Sequence, residues 1–137
     1  MNTAPQFTII ECCYGTLGYS FAAGNLVKFA PAGYAFNGNG DVGFNPAIDI
    51  ATSSDRTSCI GSIVGQASTF YSKVQIGGIQ ELIYTGTKPI PGDWLVLSST
   101  SGCVEVGTRA NAVALAVGWA FPRKNLVRAY MLVPNTA

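Results

Sequence analysis

Apolar and polar side chains alternate with period two through much of this chain, in short stretches. That is the period of a β-strand and not of a helix. Residues 70–77 carry Phe70, Ser72, Val74 and Ile76 on one face and Tyr71, Lys73 and Gln75 on the other. Residues 93–98 set Leu95 and Leu97 against Trp94 and Val96, so both faces of that strand call for burial. Residues 113–121 alternate large with small: Val113, Leu115, Val117, Trp119 and Phe121 against Ala112, Ala114, Ala116, Gly118 and Ala120. One face presents bulky apolar groups. The other is nearly bare backbone, against which a second layer or a neighbouring subunit can lie closely. Further strands are expected over residues 7–13, 25–30, 48–52, 59–65, 79–84, 103–107 and 126–133. Alanine's helix preference makes residues 109–117 the best helix candidate, but the alternation assigns them to a strand, with a helical turn at most near residues 109–112.

Glycine, proline and asparagine separate these segments. Residues 14–24 and 31–46 read as Gly-rich loops, and Asn37-Gly38-Asn39-Gly40 is a strong turn signal because type I′ turns need positive φ. Residues 85–92, with Pro89 and Pro91, read as a loop, and Gly77-Gly78 predicts a bulge in a continuing strand. Short strands with turn signals between them predict an all-β fold, a small β-barrel or sandwich with long Gly-rich loops. Residues 1–6 are polar and carry a proline, which predicts an extended N-terminal arm. The chain thus divides into an arm with the first strand, residues 1–13, and a single β-barrel domain, residues 14–137. There is a weak internal echo: the segments starting at Gly24 and Ile60 are followed by similar ones starting at Gly92 and Leu115. It suits a barrel made of two similar halves.

Only 11% of the residues are charged, about half the usual ~25%, and 48% are hydrophobic. A surface with so few charges is apolar, and apolar surface marks contact with partners. The formal net charge of +1 provides no strong pull toward nucleic acid or anionic membrane. The longest apolar run, residues 112–121, falls short of the ~18 residues of a spanning helix. The first residues have neither the basic nor the apolar region of a secretion leader, so a reducing compartment is expected. There Cys12, Cys13, Cys59 and Cys103 read as buried free thiols. Neighbours such as Cys12 and Cys13 cannot form a relaxed bridge, and no Cys-X-X-Cys pair offers a metal or redox motif.

The chain has no histidine, which removes the usual base for a serine or cysteine nucleophile and a common metal ligand. Its seven carboxylates are scattered without paired spacing. Residues 38–43 match Gly-X-Gly-X-X-Gly, but Phe44-Asn45-Pro46 follows, and proline argues against the helix that a phosphate site needs. Asn37, Asn39 and Asp41 loosely resemble the start of a calcium loop, with too few carboxylates to bind tightly. A hairpin tip accounts for both. No catalytic, cofactor or metal site is expected. Arg123, Lys124 and Arg128 cluster near Trp119, Phe121 and Tyr130. An ordinary solvated turn over residues 122–125 explains them first, a protein interface second, and a single-strand-binding barrel face third.

From about Gly24 to Val133 the order of segments resembles the small β-barrel capsid decoration (cement) proteins of tailed bacteriophages. The residues that carry the resemblance are 24–29, 60–65, 74–78, 91–97 with the turn into Gly102-Cys103-Val104-Glu105-Val106, and 113–120. They form a pattern of strands and turns, not a catalytic signature. The long stretch 31–58 and the Cys12-Cys13 doublet depart from the more compact members.

The resemblance implies a non-enzymatic virion protein on the outer surface of the head, commonly a homotrimer at local three-fold positions, reinforcing the shell after expansion and assembled in the host cytoplasm. Its implied partners are the major capsid protein and further copies of itself, with no nucleic acid, membrane or cofactor. A nucleic-acid-binding β-barrel, or another phage part such as a tail or head-fibre base, is the alternative. The interface is expected at Phe7, Ile9, Ile10, Trp94, Val96, Trp119, Phe121, Arg123 and Arg128. Residues 7–13 suit strand addition to a neighbour's open edge, with the capsid, an adjacent subunit or the chain's own barrel as the acceptor.

Overall fold

A computed structural model of the chain describes residues 7–14, 22–30, 46–66, 71–120 and 124–133. The described residues are all-β, in two sheets of five strands. The first holds β1 (Thr8–Tyr14), β2 (Leu26–Phe29), β3 (Ala47–Ile50), β4 (Cys59–Gln66) and β5 (Tyr71–Ile76), closed into a barrel in the order β1-β3-β2-β4-β5. The second holds β6 (Ile79–Ile83), β7 (Trp94–Leu97), β8 (Val104–Val106), β9 (Ala114–Ala116) and β10 (Leu126–Met131), in the order β6-β10-β9-β7-β8. A single parallel bridge, Tyr84 to Val104, brings the two ends of this second sheet together. A 3₁₀ turn, Arg109–Asn111, precedes β9, where a helical turn was expected. Among the described residues no helix is long and apolar enough to cross a membrane.

The two sheets repeat one plan. In each, the first strand pairs antiparallel with the fifth, the fifth with the fourth, the fourth with the second and the second with the third. In each, the first strand meets the third in parallel, at Tyr14–Ile48 in one and Tyr84–Val104 in the other. Superposing the pairings matches Ile9–Tyr14 with Ile79–Tyr84, which share Ile, Glu and Tyr at the first, third and sixth places. It matches Ile48-Asp49-Ile50 with Val104-Glu105-Val106.

The turn into the second strand is the same in both. Gly24 and Gly92 have φ of 98° and 97°, a region that glycine enters without steric cost. The next side chain closes the turn from behind: Asn25 Oδ1 accepts from the Ala22 N–H at 2.8 Å, and Asp93 Oδ2 from the Ile90 N–H at 3.0 Å. Residues 60–65 correspond to residues 113–118, two positions earlier than the sequence echo placed them.

The cores repeat too. Cys12, Val27, Ile48, Ile60, Ile63 and Val74 fill the first barrel, and their counterparts Leu82, Leu95, Val104, Val113, Ala116 and Ala129 all lie in the second core. That second core also takes in Leu26, Ala51 and Cys59 from the outer side of the first barrel, so the units share one apolar body.

One expectation is narrowed and two change. First, of the three acceptors expected for residues 7–13, the chain's own barrel is the one that takes them: β1 closes it between β5 and β3. Residues 1–6 lie outside the described residues. Second, Gly77-Gly78 is not a bulge in one continuing strand. Both residues have positive φ, 80° and 74°, and they form the turn by which the chain leaves the first sheet for the second. The register shifts fall instead between Val27 and Lys28 and between Ile63 and Gly65. Third, in the described part of the alternating stretch, residues 113–120, only Ala114–Ala116 is strand, and within it the small residues face inward. Ala114 and Ala116 are buried, Leu115 is half-buried, and Val117 and Trp119 are exposed. A five-stranded sheet curled until its ends meet at the Tyr84–Val104 bridge is too narrow inside for large groups from every strand. Leu82, Leu95, Val104 and Val127 already occupy the centre.

Candidate interaction surface

The turned-out side chains of the second sheet form a continuous strip. Register places Ile79 of β6 opposite Tyr130 of β10, Tyr130 opposite Leu115 of β9, and Leu115 opposite Trp94 of β7. Directly opposed side chains stand close enough to touch, so four strands contribute one apolar row. Tyr130 is 46% exposed and Ile79 42%, and Trp94 and Leu115 are half-buried. Beside the row, Glu81 lies opposite Arg128; beyond the end of β9, Val117 is exposed and Trp119 is 67% exposed. The guanidinium of Arg109 lies over the Trp94 ring, 5.4 Å from its centroid, a cation–π arrangement that holds the indole in place. An open groove of about 540 Å³ runs beside Trp94 and Arg109, bounded by Arg56, Leu132 and Val133.

The first barrel carries the same row in different residues. Ile9 opposes Gln75, Gln75 opposes Ser62, and Ser62 opposes Leu26. Here Ser62 and Leu26 are fully buried, because the second unit covers them. The Ser62 hydroxyl donates to Gln80 Oε1, and Gln80 Nε2 donates to the carbonyls of Gln75 at 3.1 Å and Gly77 at 3.0 Å. The Leu26 N–H donates to the Gly102 carbonyl at 2.8 Å. The first row thus carries Gln75 and Ser62 at its middle, where the open row carries Tyr130 and Leu115. A cleft of about 300 Å³ lies at the seam, between Val64 and Gln75 on one side and Ile79 and Glu81 on the other.

Of the residues expected at an interface, Trp94 and Arg128 share this face, and Trp119 is exposed beyond the end of β9. Val96 also turns outward from β7 but is half-buried, opposite Glu105 and against the backbone of Gly107. Phe7 and Ile9 are exposed at the far end of the chain, on or before β1. Ile10 is half-buried against the first core. Phe121 and Arg123 lie outside the described residues, as do the Gly-X-Gly-X-X-Gly stretch and Asp41; Lys124 is exposed. Sequence reasoning missed Ile79, Leu115 and Tyr130 as one row, since only register brings them into line. Ile79 and Gln80 even invert the usual rule, with the isoleucine out and the glutamine in.

The perturbed titratable groups belong to the core and to one loop. Burial pushes the Cys12 thiol up to about 12, with Cys13 and Glu11 adding repulsion. Burial likewise raises Cys59 to about 12 and raises Cys13 and Cys103. All four are buried and in no disulfide, protonated at neutral pH and poor nucleophiles. Burial also works to raise the Asp55 carboxyl. Hydrogen bonds from the Thr52 N–H and hydroxyl, both 2.8 Å, and an ion pair with Lys28 at 2.9 Å outweigh it and hold the group below its ordinary value. Among the described residues, no group of three His, Cys, Asp or Glu side chains comes together to hold a metal ion.

A scan against protein-family models, a search of curated proteins and a search of solved structures each found no match to this chain.

Proposed function

We propose that this protein is a structural virion component, a decoration protein that binds the outer surface of a bacteriophage head and stabilises the capsid lattice, and that it acts by binding and not by catalysis. The observation that carries the reading is the open row Ile79–Tyr130–Leu115–Trp94. Aromatic groups with a nearby arginine are the composition of interface centres, and a chain with so few charges has little else to keep such a face in water. Four thiols held protonated favour a binding role over a cysteine-based reaction. The nucleic-acid alternative is weaker on this face, because Glu81 and Glu105 lie among its basic groups and would repel phosphates.

The test is co-sedimentation of the purified protein with heads of the phage whose genome encodes it. Saturable binding in fixed proportion to the major capsid protein, imaged on the outer surface, supports the reading. A gene neighbourhood without capsid genes, or heads that take up none of the protein, refutes it. Location at the tail would replace the head role with the other structural one.

A further inference from the structure

We infer that the groove beside Trp94 and Arg109 is a docking site for an acidic segment of a protein partner, one that sets carboxylates against Arg56 and Arg109 and apolar side chains against Leu132 and Val133. The inference rests on the binding role proposed above and names the chemistry of what is bound.

Charge carries it furthest. Arg56 and Arg109 are both exposed and both line the groove. Among the described residues neither guanidinium has an ion-pair partner, and no carboxylate lines the groove. The acid next in sequence, Asp55, is already engaged. Its carboxylate accepts from the Thr52 N–H and hydroxyl, both at 2.8 Å, and pairs with Lys28 at 2.9 Å. Glu81 lies opposite Arg128 and lines the separate cleft at the seam, and Glu105 lies opposite Val96. A guanidinium presents its donors as a rigid fork that matches a carboxylate, so charge complementarity asks for an acidic occupant.

The two cations are also held in place. Under Arg56, the Ser58 and Cys59 N–H groups donate to the Asp55 carbonyl at 3.0 and 2.9 Å. At Arg109, the Ala112 N–H donates to the Arg109 carbonyl at 3.2 Å, and the guanidinium is seated over the Trp94 ring. Groups fixed before binding cost less to order on binding.

Shape and apolar lining select the kind of occupant. The groove is open, about 540 Å³ in volume, and shares Arg56 with a second groove of about 290 Å³ bounded by Thr108 and Asn111. A small ligand needs a concavity that takes most of its surface out of water; an open trough suits an extended segment. Trp94, Leu132 and Val133 are half-buried and offer apolar contact to side chains set between the carboxylates. Single-stranded nucleic acid binds by stacking bases on aromatic rings, and here Arg109 already lies over the Trp94 ring.

The experiment is calorimetric titration of the full chain, as wild type, Arg56→Gln and Arg109→Gln, with a synthetic octapeptide that alternates glutamate with leucine. A second octapeptide with glutamine in place of glutamate, and an oligothymidine of the same length, are titrated in parallel. Both arginines are exposed, so the substitutions leave the core untouched. The expected results are saturable binding of the acidic peptide with a Kd below about 1 mM, and at least tenfold weaker binding in each variant with an unchanged circular dichroism spectrum. The glutamine peptide should bind at least tenfold more weakly to the wild type. No saturable binding, equal binding of the two peptides, or binding unmoved by both substitutions overturns the inference, as does an oligothymidine that binds more tightly than the acidic peptide. If the peptide fails and the protein still binds heads, the inference falls and the decoration role stands. If the peptide binds as expected and heads take up none of the protein, the decoration role falls and the acidic partner stands.

Discussion

Replacing Gln80 with alanine tests whether the two five-stranded units stand or fall together. Gln80 is a buried polar residue at the seam. Its amide nitrogen donates to the Gln75 carbonyl at 3.1 Å and the Gly77 carbonyl at 3.0 Å, and its carbonyl oxygen accepts from the Ser62 hydroxyl. Three neutral hydrogen bonds at about 1 kcal/mol each give an expected loss of about 3 kcal/mol. The Gly77 carbonyl keeps a donor from Gln75 Nε2 at 3.0 Å, while the fully buried Ser62 hydroxyl loses its acceptor. At an m-value of about 1.5 kcal/mol/M, the urea midpoint should fall by about 2 M. The assay is urea unfolding followed by two probes. Both tryptophans, Trp94 and Trp119, lie in the second unit, so their fluorescence reports that unit alone, whereas far-UV circular dichroism reports both. Leu26, Ala51 and Cys59 of the first unit share the second core, so the two curves should coincide in the wild type and move together in Gln80→Ala. Ser62→Ala should give about a third of the effect, and the double variant should lose less than the sum of the two. A loss below about 0.5 kcal/mol, or a shift in the fluorescence curve alone, would refute the role of Gln80 as the polar link between the units.

Three further outcomes follow from the titratable groups. The Asp55 carboxyl titrates below its ordinary value in the folded state, so its contribution is present above the unfolded pKa of about 3.9 and is lost as pH falls through the lower folded value. Asp55→Asn should therefore be less stable than the wild type at neutral pH and converge with it in strong acid; a stability gap unchanged at low pH would contradict this. Cys12 and Cys59 are raised to about 12, so above the unfolded thiol value of about 8.5 the unfolded chain ionises first and stability should decline with rising pH. The native thiols should be silent to a disulfide reagent near neutral pH and all four should react once the chain is unfolded; fast labelling of the native protein would show that the pockets are open.

Local pattern carried most of the strand assignments. Residues 70–77, 93–98 and 126–133 alternate as strands should, and β5, β7 and β10 lie there. The opposition of Leu95 and Leu97 to Trp94 and Val96 holds in the fold, with the two leucines buried. Pro89 and Pro91 kept residues 85–92 out of a sheet. The candidate surface was legible only in pieces: Trp94 and Arg128 are visible as large or basic residues, but the row that joins Trp94 to Leu115, Tyr130 and Ile79 is set by hydrogen-bond register among strands distant in sequence.

By itself, the sequence determined which residues share a face, because the period of a strand is a local property of the backbone. It also determined where the chain must turn at Gly24 and Gly92, which close the loops expected over residues 14–24 and 85–92. It did not determine which face is the inside. In β9 the alanines point inward and the leucine outward, and in β6 Gln80 and Leu82 point inward while Ile79 points out. Those choices follow from what lies opposite: a narrow, curled sheet whose inside is already filled by neighbouring side chains in one case, and the Ser62 hydroxyl of the other unit in the second. The change of sheet at Gly77-Gly78 and the repetition of one plan in two units were likewise tertiary decisions. Pairing a first strand with a fifth joins residues far apart along the chain, and no window short enough to show a strand's period contains both.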